Sequence, residues 1–410
     1  MSATPVTRSR LRPRLVFAGT WTAILVCAFY ALYLADLLRG RIRGPDFIAY
    51  YVGGRLARIY GGAHLYDLTL QGQIQSQITS GWPGHPGLLA FVNPPFLALL
   101  MQPLSYLTYK QAYIVWLPVT IAFTLGAVAL AVRAGGLHGG QAWRVALMTS
   151  AAMPLFVGVL QGQSTSIVMF GLAGGYYLTR RQRGLLAGGA YSLVLLKPHL
   201  VLLLPVYLLA RRQWGVLAGL CLGAAVLILI PALVWGPAIW PQYARLVLPQ
   251  AAGIRQNWRA GTEIGYTLLG LVSFLGSWKW AAWSVLALGG ALAVWKLRAG
   301  PALDFALMLA VSFLLAPHAN FHDASPLVVG TVLVAARVLL SPRRRWHDEA
   351  ILAVLFVLGV LSIAAPQPLL ACLVLAYALW LAFVRRRLDP AEPEEPRPLV
   401  PASQPSVGLA

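Results

Sequence analysis

The chain has 410 residues, of which 59% are hydrophobic and only 11% charged, yet its formal net charge is +20. Its mean hydropathy is +0.70, which excludes a soluble domain of this length. Apolar runs of roughly 17–25 residues recur from end to end, the mark of an all-α polytopic membrane protein. The positive charge is no nucleic-acid footprint, because the arginines stand in short clusters between apolar runs, as cytoplasmic loops do. Cys27, Cys221 and Cys372 lie inside apolar runs. They read as packing residues rather than disulfides or metal ligands.

In chain order, residues 1–14 form a basic segment with Arg8, Arg10, Arg12 and Arg14. The apolar run at 15–38 is too long for a signal peptide and reads as an uncleaved first helix leaving the cytoplasm. Residues 39–88 form a polar first external loop holding Asp46, Tyr50, Tyr51, Arg55, Arg58, His64, Tyr66 and Asp67. Within it, 47–60 predicts a short amphipathic helix at the membrane interface, ended by Gly61-Gly62. Phe91-Val92-Asn93-Pro94-Pro95-Phe96 opens a second span that returns to the cytoplasm near Lys110, and a third rises to Val132.

Two full spans within 142–178 would leave Arg180, Arg181 and Arg183 outside. A partly inserted helix at 145–160 and one span at 164–178 keep those arginines inside. That solution sets Gln161-Gly162-Gln163-Ser164 on the side of Asp46. Residues 184–211 are too few for two crossings, so a hairpin of half-depth helices broken at Lys197-Pro198-His199 is expected. A span at 213–234 leads to a second external loop, 236–264, with Trp240, Tyr243, Asn257, Trp258 and Glu263. After a short apolar stretch at 264–276, spans at 281–297 and 303–315 flank a cytoplasmic Arg298. An external turn at 317–323, a span to Leu340, and a hairpin at 351–384 turning at Pro366-Gln367-Pro368 complete a domain covering 15–387. The tail, 388–410, is rich in Pro, Glu and Ser and is expected to be disordered. About ten to thirteen helices are predicted, partial ones included, with no repeat or heptad.

Sorting polar residues by side is informative. Asp46, Tyr50, Tyr51, Tyr66, Asp67, Asn93, Gln161, Gln163, Asn257, Glu263, His318, His322 and Asp323 fall on the external side, and little but arginines and Lys110 on the other. Such a face suits a hydroxyl-rich molecule handled at a membrane surface. Intramembrane or juxtamembrane carboxylates are usually retained for a use.

Asp46-Phe47 with Tyr50-Tyr51, then Leu65-Tyr66-Asp67, Asn93-Pro94-Pro95-Phe96, Gln161-Gly162-Gln163 and Lys197-Pro198, in that order, resemble glycosyltransferase family 87. These are the polyprenol-phosphate-mannose-dependent α-mannosyltransferases of the GT-C superfamily. One departure is that the family pattern has Asn where Ser164 or Thr165 stands. The resemblance implies a GT-C-type bundle and inverting transfer of a sugar, mannose above all, from a polyprenyl-phosphate donor. The acceptor would be a glycolipid or polysaccharide outside the cytoplasm. It implies neither a nucleotide sugar nor a metal or other cofactor, and a cell-membrane location.

On that reading Asp46 is the general base for the acceptor hydroxyl. The leaving phosphate needs positive charge or donors, for which Lys197, Arg55, Arg58, His318 and His322 are candidates. Tyr50, Tyr51, Tyr66, Asp67, Asn93, Gln161 and Gln163 are candidate substrate contacts. Blander roles stand beside these. Asp46 can pair with Arg43 or Arg55, Asp67 can cap a helix, Lys197 can serve a helix break, and His318 with His322 has a metal-ligand spacing. The competing function is a secondary transporter or lipid-linked sugar flippase, which predicts paired broken helices along a through-path.

Overall fold

The computed structural model describes residues 6–40, 46–80, 87–251, 266–297, 300–362 and 367–388. Arg43, Asn257, Trp258, Glu263, Arg298, Pro366 and nearly all of the tail lie outside the described residues. Among those described, every regular element is helical, with eighteen α-helices and six short 3-10 segments. Five helices among the described residues are long and apolar enough to cross a membrane: Val16–Arg39, Tyr109–Ala134, Trp214–Trp235, Phe321–Leu340 and Pro368–Leu388. A further pair, Gly139–Ser150 and Met153–Leu160, is bent by 59° at its break, where Pro154 removes a helix N–H. The chain is an all-α polytopic membrane protein.

Two ends of the bundle can be told apart by contacts. The first helix runs alongside the bent pair. Gly19 faces Met148, Tyr30 stacks on Phe156 with ring centroids 3.9 Å apart, and Asp46 meets Gln161. The Tyr109–Ala134 helix lies parallel to Thr165–Arg180, with Trp116 at Gly162 and Leu130 at Gly174. One end therefore gathers Asp46 and the 161–164 turn. The other gathers arginines, three of which are held by buried acidic partners. Asp304, fully buried in the first turn of Pro301–Leu315, accepts from both Arg211 and Arg385. Asp348 takes a two-pronged grip from Arg387 at 2.7 and 2.9 Å. An acidic residue in a first turn also suits the helix dipole.

Residues 184–210 are two short arms, Gly184–Leu196 and Pro198–Ala210, each too short to span about 30 Å of hydrocarbon. They rise from the arginine end and break at Lys197. Such a break is tolerated because it is buried in protein, not in lipid.

Two expectations are corrected. The stretch from Phe91 to Lys110 is no crossing. Its α-helix is only Pro95–Met101, about 10 Å long at 1.5 Å per residue. Pro94-Pro95 and Pro103 interrupt the chain on either side. The crossing is Tyr109–Ala134 itself, which starts at the end where Asp46 lies. Accordingly Lys110 donates to the Gly40 carbonyl at 3.2 Å and does not stand with the arginines. Nor is Phe47–Tyr60 a one-sided interfacial helix. Ten of its fourteen residues are buried, because Gly53 admits the Phe91 ring and Gly54 the Met101 backbone.

A Cβ at Gly54 would lie 2.6 Å from the Met101 carbonyl, backbone that cannot swing away. Gly54→Ala is expected to cost about 1–3 kcal/mol, read as a lower melting temperature in detergent. Gly72→Ala, where nothing lies within 4 Å, should match or exceed the parent. Equal melting of the two variants would contradict this packing.

Candidate active site

Asp46 stands at the N-cap of the Phe47–Tyr60 helix, but its side chain makes no capping bond. The carboxylate is thus left for other contacts. Its position is fixed by the Gln161–Ser164 turn. The Asp46 N–H donates to Gln161 Oε1 at 2.8 Å, and the Phe47 N–H donates to the Gln161 carbonyl at 2.9 Å. Gly162 has φ +63°, and a Cβ there would come 2.9 Å from Phe47 Cβ; the turn needs glycine for both reasons. Trp116 Nε1 donates to the Gly162 carbonyl at 2.8 Å, and the Tyr113 hydroxyl to the Leu160 carbonyl at 2.6 Å.

Gln163 ends this turn and bridges two groups. Its Nε2 donates to Asp46 Oδ2, and its Oε1 accepts from the Tyr50 hydroxyl, both at 2.5 Å. Tyr50 also lies 3.3 Å from Ser164 Oγ. Burial pushes the Tyr50 phenol above its ordinary range, so it is a neutral donor near neutral pH. Asp46 itself is half-buried and makes no ion pair among the described residues; the bond to Arg55 is not formed.

A second group lies beside the first. At the break between two 3-10 segments, Lys197 Nζ reaches Asp323 Oδ1 at 2.6 Å and lies 3.5 Å from His322 Nε2. The other Asp323 oxygen accepts from the Asn320 N–H at 2.9 Å. Thr165 joins the groups, its hydroxyl 3.4 Å from Asp323 Oδ1, one residue after Ser164. Lys197 is close enough to feel the charge of Asp46. The His199 and His318 rings stack alongside, with centroids 4.5 Å apart.

Asp46, Tyr50, Gln161, Gln163, Lys197 and His322 are therefore brought together, with His318 stacked at the edge. The remaining candidates lie outside this cluster, and most of them bond to the surrounding backbone or side chains. The Tyr51 hydroxyl donates to the Leu107 carbonyl at 2.7 Å. Tyr66 donates to the Asn93 carbonyl at 2.8 Å and stacks on Phe91. Asp67 caps the Leu68–Thr79 helix, accepting from Thr69 and Leu70 N–H at 2.9 and 3.1 Å. Arg58 binds Ser105 at 2.9 Å, and Arg55 lies half-buried with its Nε facing no partner among the described residues. Ser164, Thr165, Asn320 and His199 were not among the sequence candidates. Thr165 and Ser164 stand where the family pattern has Asn, a visible signal; a lone Asn320 or His199 carries none.

Among the described residues no three His, Cys, Asp or Glu side chains form a metal-binding group. What converges is one accessible carboxylate, one buried ammonium and several neutral donors. This defines a membrane-embedded helical protein with a polar site at one end of its bundle, fit to handle hydroxyl and phosphate groups. The model of glycosyltransferase family 87 matches residues 91–317, more than half of the chain. The chain belongs to glycosyltransferase family 87 and is a glycosyltransferase. The matched stretch includes Asn93, Gln161, Gln163 and Lys197, while Asp46, Tyr50, His322 and Asp323 fall outside it. Neither the curated proteins nor the solved structures contain a match.

Removing one member of a buried ion pair leaves the other charge unpaired, at about 3–5 kcal/mol. Lys197→Met should therefore lower the melting temperature sharply, and adding Asp323→Asn should restore much of it. If the double variant melts no higher than the single one, the pair is not the source of the loss. Asp67→Ala, by contrast, should cost only about 1 kcal/mol as a lost cap, with sugar transfer retained.

Proposed function

We propose that this glycosyltransferase moves a sugar, most simply mannose, from a polyprenyl-phosphate donor to a hydroxyl of a glycolipid or polysaccharide acceptor, with Asp46 as the general base. The observation that carries the reading is the contrast between two carboxylates of the site. Asp323 is buried and satisfied by Lys197 and Asn320, whereas Asp46 is half-buried and held by a neutral amide. A carboxylate that is oriented, reachable and not tied up in an ion pair among the described residues is what proton abstraction requires.

In the proposed step the acceptor oxygen attacks the anomeric carbon as its proton passes to Asp46. The bond from that carbon to the donor phosphate oxygen breaks, and the phosphate leaves with the electron pair. One displacement inverts the anomeric configuration. The leaving phosphate needs no strong acid, only donors and positive charge. Lys197 carries three N–H donors and spends one on Asp323, leaving others for the phosphate. His322 and His318 add to that side. Gln163 and Tyr50 hold Asp46 in one orientation, so the base does not have to be found during reaction.

The gathering of polar groups at one end, with arginines at the other, favours an enzyme over a through-path transporter. The positive-inside rule puts the arginine end in the cytoplasm and the site on the opposite face of the cell membrane.

Transfer from a short-chain polyprenyl-phospho-mannose to a panel of membrane glycolipids tests the proposal. Asp46→Asn should reduce kcat by about 10²–10⁴ while leaving the melting temperature and elution profile near the parent's. Gln163→Leu should lower kcat less, because it frees the base without removing it. Full activity in Asp46→Asn would dismiss Asp46 as the base. A folded parent inactive with every lipid-linked donor would dismiss the donor class.

A further inference from the structure

A cavity of about 620 Å³ lies at the arginine end, away from the Asp46 site and unused by the proposed reaction. Its walls include Arg180, Arg211 and Arg212, and the buried tyrosines Tyr176, Tyr191 and Tyr207. Here the sequence holds a short repeat, where none was expected. Arg180-Arg181-Gln182-Arg183-Gly184-Leu185-Leu186-Ala187-Gly188 returns as Arg211-Arg212-Gln213-Trp214-Gly215-Val216-Leu217-Ala218-Gly219. Each copy is an arginine turn followed by a helix start.

The glycines explain why the copies sit together. Gly184 lies against the Gly215 backbone, Gly188 against Val216 and Gly219, and Gly219 against Leu185. Without side chains at these points the two helices approach backbone to backbone. They run parallel, so both N-termini face the cavity. Neither start has a side-chain cap. The turns hold Gln182 at φ +58° and Arg212 at φ +54°, the two non-glycine residues with positive φ among the described residues. Asp304 neutralises Arg211, while the Arg212 side chain has no ion pair among the described residues.

Guanidinium groups and paired helix starts together make a cavity that favours an anion with several acceptor oxygens. Trp214, exposed at the rim, sets it at the depth of lipid headgroups, where tryptophan collects. We propose that this cavity binds a phosphate group, supplied in the membrane by the headgroup of an anionic phospholipid.

The test is tryptophan-fluorescence melting of the purified chain in detergent. One arm titrates phosphatidylglycerol against phosphatidylcholine; the other titrates inorganic phosphate and pyrophosphate against chloride at matched ionic strength. The variants are Arg180→Gln, Arg212→Gly and, as a charge-matched control at the same end, Arg386→Gln. Glycine accepts positive φ without strain, so Arg212→Gly should fold at least as well as the parent. Phosphatidylglycerol should raise the melting temperature of the parent and of Arg386→Gln. In Arg180→Gln and Arg212→Gly its apparent affinity should fall roughly tenfold or more, as for a lost charge-assisted hydrogen bond. A matching response to soluble phosphate would assign the binding to the phosphate group alone, and a response to the lipid only would assign it to the intact headgroup. Equal responses in all three variants, or no response of the parent to either probe, would overturn the proposal.

Discussion

The left-handed turn at Gly162 is the constraint on which the site rests. With φ +63° and Phe47 packed where a Cβ would sit, the chain reverses tightly enough to send Gln161 and Gln163 to the same neighbour. Gln161 fixes the backbone at Asp46 and Phe47, and Gln163 fixes the carboxylate. A wider turn would satisfy one or the other. Trp116 and Tyr113, from the helix behind, take up the carbonyls of the same turn. The position of Asp46 is therefore set by residues more than a hundred positions away, through backbone groups that must be paired once buried.

The buried ammonium follows from a second constraint. Hydrocarbon does not tolerate unpaired backbone, so a chain break inside the bundle must be lined by protein. The break at Lys197 is lined by the Asn320–Asp323 turn, itself a helix start. Asp323 serves both purposes at once, accepting the Asn320 N–H with one oxygen and Lys197 with the other. Structure and chemistry are coupled here: the group that stabilises the break is the group that holds a cation beside Asp46.

The opposite end obeys another logic. Arg211, Arg385 and Arg387 are tied to Asp304 and Asp348, and these buried carboxylates sit in first turns of helices, where the dipole favours them. The ion pairs clamp the last helix onto the bundle. The charge excess that remains at this end belongs to the surface and to the paired arginine turns, so the two ends differ in kind. One holds the Asp46 site, the other a cationic rim.

The sequence by itself determined the class of fold, since a composition this apolar has only helices to offer in a membrane. The half-depth arms at 184–210 were legible from length alone, because too few residues lie between two arginine clusters to cross twice. Asp46, Gln163 and Lys197 were legible as rare polar residues in ordered motifs. Tertiary structure alone decided which neighbours of these residues turn toward them. Tyr50 and Tyr51 are adjacent in sequence, but a helix points them about 100° apart, one to Gln163 and the other to Leu107. Asp67 was open to either role, substrate contact or cap, until the backbone claimed it as a cap. Phe91 to Lys110 is apolar enough for a span, yet its prolines break it and its apolar faces bury against Phe47–Tyr60. Hydropathy records that a residue leaves water, not whether lipid or protein receives it, and that difference is fixed only when the helices pack.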